Sequence, residues 1–127
     1  MNKSFIRDEE APDDAVVVIR GGLHSLDPNR VHETAEDAFV DLGFYGVSVF
    51  AAYDGDVRAL CERIGRLRSP GVIWIARVGV LRAAGFQLVP TDDAPHFDVV
   101  LPDLAAVTIA TLIGCFESRP NPLKEGS

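Results

Sequence analysis

The chain has 127 residues and a mass of 13.7 kDa, room for one domain rather than two. With 47% hydrophobic and 24% charged residues it is not a disordered composition, and a domain of this length folds without a metal or disulfide staple. Twelve basic against 19 acidic residues give a net charge of -7 and a pI near 4.8, which excludes general electrostatic binding of nucleic acid or of an anionic membrane.

Residues 1–14 are polar and largely acidic and read as a loose arm. Ala15 to Arg20 is a β-branched run stopped by Gly21-Gly22, a buried strand. Residues 31–42 place Val31, Ala35, Ala38, Phe39 and Leu42 at helical spacing, with Gly43 as the stop. Tyr45 to Ala52 is a second strand, with Val47 and Val49 on one face and Ser48 and Phe50 on the other. Asp54 or Asp56 caps a second helix with a Val57, Leu60, Cys61, Ile64, Leu67 stripe, and Arg63, Arg66 and Arg68 crowd its end.

After the turn Ser69-Pro70-Gly71, Val72 to Ala76 is a third strand, and a short helix over 77–84 ends at Gly85. Phe86 to Val89 and Phe97 to Leu101 are two strands whose short connection predicts an antiparallel hairpin. Asp92-Asp93 lies in that connection and reads as turn. A last helix runs over 103–116, capped by Asp103. Residues 117–127, broken by Pro120 and Pro122, read as a flexible tail. The predicted fold is therefore α+β: a single domain over 15–116, with a small, mainly antiparallel mixed sheet and three to four helices.

Cys61 and Cys115 sit in apolar helical patterns and read as small buried hydrophobes, not as a disulfide or metal pair. His24, His32 and His96 are too scattered to form a metal-ligand motif. No apolar run reaches the length of a membrane span and the start has no signal core, so the expectation is a cytoplasmic protein.

Four places carry candidate chemistry. Arg20 ends an apolar strand beside two glycines, where a guanidinium can grip a phosphate or carboxylate; the plainer reading is a strand-end arginine in water. His24 follows in Arg20-Gly21-Gly22-Leu23-His24, which is neither GxGxxG nor a P-loop, and is equally an exposed turn histidine. Ser48 is the polar residue inside a strand; it either orients a ligand or bonds a neighbouring backbone, and no nucleophile elbow surrounds it. His96 and Asp98 share one strand face, a pairing suited to acid–base work, or simply the wet mouth of a hairpin.

The order of a strand-ending Arg20-Gly21, Gly46-x-Ser48-x-Phe50 on a second strand and His96 or Asp98 on a late strand resembles the ADP-ribosyltransferase superfamily. It is most similar to small bacterial NAD-dependent toxins, and more distantly to RNA 2'-phosphotransferases. The resemblance spans about residues 15–101. It implies an NAD-binding core in which Arg20, Gly21, His24, Tyr45 and Ser48 hold the cofactor. Arg20, Ser48 and His96 or Asp98 would then form the catalytic set, transferring ADP-ribose to an intracellular target or depleting NAD. The late strand has no glutamate, and the Ser-Thr-Ser signature reads Val47-Ser48-Val49, which sets this chain apart from the transferases that use that carboxylate.

A neutralising protein partner and a homodimer fit the same reading. The alternative from composition is a non-enzymatic acidic module, an antitoxin, immunity or regulatory protein that covers a basic site on its partner. On the enzyme reading, Arg20, His24 and His96 form a locally basic cleft within the acidic protein.

Overall fold

The computed structural model describes residues 11–19, 26–68, 70–91 and 95–124. Six strands, β1 (Val16–Ile19), β2 (Tyr45–Ala52), β3 (Val72–Arg77), β4 (Gln87–Pro90), β5 (His96–Leu101) and β6 (Glu117–Pro120), form one sheet in the order β4-β5-β2-β1-β3-β6. Every pairing is antiparallel. Four helices accompany it: α1 (Pro28–Leu42), α2 (Val57–Arg63), α3 (Val78–Ala83) and α4 (Ala106–Gly114). The α+β expectation holds, and the β4–β5 hairpin pairs as predicted.

β1 lies between β2 and β3, which explains its unbroken apolar run. Val17 and Ile19 join the larger core, with Val47, Val49, Phe97 and Val99 and with Val78 and Leu81 of α3 and Ile109 and Leu112 of α4. Val18 points the other way. It joins Phe50, Ile73, Ile75 and, from α2, Leu60 and Cys61 in a smaller core. Alternation along β2 therefore serves two cores, and removing each such side chain from water contributes about 1.5–3 kcal/mol.

Helix ends follow local chemistry. Asp27 caps α1, its carboxylate accepting from the backbone N–H groups of Asn29 and Arg30, and Pro28 takes the first turn, where its missing N–H costs nothing. Gly43 ends α1 at φ 83°, a conformation open to glycine. Asp56 caps α2 through the Ala59 N–H, and Asp54 accepts from the Asp56 N–H in turn. The predicted α2 stripe is broken: the helix stops at Arg63, and Leu67 reaches the core from a separate 3-10 turn, Gly65–Leu67.

Three boundaries differ from expectation. α4 begins at Ala106, not at 103; Asp103 sits ahead of it, accepting from the Ala105 N–H and the Thr108 hydroxyl. Residues read as tail contain β6, which pairs with β3, and the buried Asn121 follows it. The end of the acidic arm is tied down: Ala11 is buried, the Gly79 N–H donates to the Asp13 carbonyl, and Arg82 pairs with Asp13 at 2.6 Å. Among the described residues no helix is long and apolar enough to cross a membrane.

Candidate functional site

β2 and β5 are neighbours, and their register sets Ser48 opposite Asp98 and Phe50 opposite His96. Period-2 alternation then puts Ser48, His96 and Asp98 on one face. Thr91, just beyond β4, reaches the same place because Val89 pairs with Asp98 and Thr91 shares its parity. A cleft of about 350 Å³ opens there, with Gly46, Ser48, Thr91, His96 and Asp98 on one side and Thr34, Asp37, Ala38, Asp41 and Leu42 of α1 on the other.

Asp98 is only 3% exposed, yet its carboxylate faces this cleft. The Thr91 hydroxyl donates to its Oδ2 at 2.6 Å. The same hydroxyl oxygen lies 3.0 Å from Nδ1 of His96. A hydroxyl carries one proton, and here that proton goes to Asp98. His96 Nδ1–H is therefore the donor to Thr91, and in the neutral imidazole the lone pair is on Nε2. Phe50 holds the imidazole edge-on, with ring centroids 5.3 Å apart. The result is a chain from imidazole through hydroxyl to a buried carboxylate, which fixes the ring's tautomer and orientation as a carboxylate does directly in hydrolytic triads.

Gly46 makes the chain possible. A Cβ at that position would stand 2.9 Å from Asp98 Oδ1 and 3.1 Å from the Phe44 ring. Among the described residues, Oδ1 accepts no hydrogen bond, so it is the open end of the chain. No hydrogen bond among the described residues ties Ser48 to His96, so Ser48 lacks the adjacent base that activates a serine nucleophile.

Among the described residues the wall of the cleft is acidic. Asp37, Asp41 and Asp98 line it, and no lysine or arginine does among the described residues. Arg20, Gly21 and His24 lie outside the described residues, as does Asp92-Asp93. Tyr45 is not part of the cleft lining: alternation turns it away from Ser48, and its ring packs on Phe39 at 4.8 Å and on the larger core. Among the described residues no group of three His, Cys, Asp or Glu is placed to hold a metal ion.

Ser48, His96 and Asp98, singled out in the sequence, line one cleft together with Gly46 of the same strand pattern, whereas Thr91, Asp37 and Asp41 were not singled out. Extending the hairpin alternation by two residues was the signal for Thr91.

A second groove, between Arg58 and Arg119 over Ile73 and Ile75, has its cations engaged. Arg58 donates to the Pro122 carbonyl and pairs with Glu62, and Arg119 pairs with Glu117. No protein-family model, curated protein or solved structure matches the chain.

Proposed function

We propose that the protein binds a small molecule in the Ser48–His96–Asp98 cleft and acts on it with His96 as general base. The observation that carries this reading is the hydrogen-bonded chain from His96 through Thr91 to the buried Asp98. A base held in one tautomer, half-buried, with an unused nitrogen, is what proton abstraction needs, and such a base typically contributes about 10²–10⁴-fold to a rate. Ser48 sits opposite Asp98 as a hydroxyl contact for the bound molecule.

The test is ¹⁵N NMR of the His96 imidazole at neutral pH. A protonated Nδ1 and a free Nε2 are expected, and Thr91→Val should mix the two tautomers while the backbone spectrum stays folded. A wild-type ring protonated at Nε2 would remove the reading.

The NAD chemistry implied by the resemblance stands as a second reading: a small toxin-like protein that transfers ADP-ribose or hydrolyses NAD. What supports it is that Ser48, His96 and Asp98, three residues of the expected set, meet in one cleft. The nicotinamide ring of NAD is cationic and suits an acidic wall; the diphosphate does not, and on this reading Arg20 and His24 hold it. Calorimetric titration with NAD decides, and absence of heat together with unshifted Ser48 and His96 resonances removes NAD.

A further inference from the structure

We infer that the ligand of this cleft is a small organic cation carrying a primary ammonium group. The inference rests on the reading of the cleft as a ligand site and adds the class of ligand. Three observations converge on it. The first is the sign of the wall: Asp37 and Asp41 stand one helical turn apart on α1, facing Asp98 across the cleft, with no lysine or arginine among the described lining residues.

The second is Asp98 itself. It is 97% withdrawn from solvent, since 3% remains exposed, and Thr91 satisfies one oxygen while the other has no donor among the described residues. A buried carboxylate with an open acceptor is stabilised by a charged N–H donor, and such charge-assisted bonds are about twice as strong as neutral ones.

The third is the remaining chemistry. Ser48 offers a hydroxyl, and Ala38 and Leu42 offer apolar wall for a short carbon stem. A space of about 350 Å³ fits a small molecule and not a folded chain. An anionic ligand meets three carboxylates at short range, a costly encounter in a half-buried site.

A bound ammonium has a further consequence. His96 lines the same cleft with Nδ1 engaged by Thr91, so Nε2 of the neutral ring is the nitrogen left to take a proton from the ammonium. The proton moves from ammonium nitrogen to imidazole Nε2, leaving a neutral amine and an imidazolium. The positive charge stays in the cleft beside Asp98, so no net charge is lost from the site.

The experiment is calorimetric titration of the full chain with 1,4-diaminobutane, 1-methylnicotinamide, NAD and inorganic phosphate at low salt. Saturable binding of the diamine is expected, stronger than that of phosphate or NAD and falling as salt is raised. Asp98→Asn should weaken it about ten- to a hundredfold. The double change Asp37→Asn with Asp41→Asn, on an exposed helix face that tolerates substitution, should weaken it about tenfold. Failure of the diamine to bind, binding indifferent to both variants, or preference for the aromatic cation, NAD or phosphate overturns the inference. The His96 tautomer is measured without any ligand, so the general-base reading survives or falls separately.

Discussion

Gly46 and Thr91 set the geometry of the cleft at the scale of single residues, and neither carries the chemistry itself. Gly46→Ala would drive a methyl to within 2.9 Å of Asp98 Oδ1 and 3.1 Å of the Phe44 ring. Neither group sits at the end of a long flexible chain, so the carboxylate must turn and break its bond with Thr91 or the strands must part. Chemical denaturation should show a loss of about 1–3 kcal/mol. The cation affinity should fall with it, checked by the same diamine titration. The sequence marks Gly46 only as the first residue of the Gly46-x-Ser48-x-Phe50 pattern; its steric role depends on a carboxylate 52 residues away in the chain, held close by strand pairing. Cys61 illustrates the opposite case, a residue whose environment was legible. It is buried in the smaller core, free of any disulfide, and burial pushes its thiol up from the ordinary value of 9.0.

Among the elements, α4 shows local chemistry acting across a boundary. Asp103 lies three residues before the helix and reaches forward, with the Thr108 hydroxyl and then the Ala105 N–H holding its carboxyl below its ordinary 3.8. A carboxyl lowered in the folded state adds stability that is complete above its unfolded pKa and is lost as pH falls through the lowered one. Thr108→Val should therefore reduce thermal stability at neutral pH. The gap between variant and wild type should close as pH falls below the carboxyl's ordinary value and through its lowered one, read by melting curves taken at descending pH.

α2 ends in a related way: the Arg68 guanidinium donates to the Glu62 carbonyl, satisfying a carbonyl of its last turn. β6 escaped the sequence reading for a physical reason. Glu117, Ser118, Arg119 and Pro120 are all exposed, so the strand has no buried face to print alternation into the sequence. It is an edge strand, where a proline is tolerated.

Taken whole, the molecule is one sheet with a core on each face, closed at the β6 edge by a buried amide. The Asn121 side chain donates to the Leu67 carbonyl at 2.7 Å and to the Pro70 carbonyl at 2.8 Å, linking the last strand to the turn before β3. Asn121→Ala leaves two carbonyls without a donor, each worth about 1–3 kcal/mol when buried. Hydrogen exchange should show β6 opening ahead of β1 in that variant, whereas equal protection would show that pairing with β3 alone holds the edge.

By itself the sequence determined the elements with a buried face and the caps that bound them. Strand β2 runs from Tyr45 to Ala52 as expected, Gly43 stops α1, and the shared face of His96 and Asp98 follows from alternation alone. These features are local, written in periodicity and in side chains that bond backbone two or three residues away. The tertiary structure decided the rest. Only strand order brings Ser48 opposite Asp98, only the docking of α1 faces Asp37 and Asp41 onto them, and only the hairpin sets Thr91 between His96 and Asp98. The charge of a cleft is a sum over segments distant in the chain. For this reason the acidic wall that Asp37, Asp41 and Asp98 make together cannot be read in one dimension.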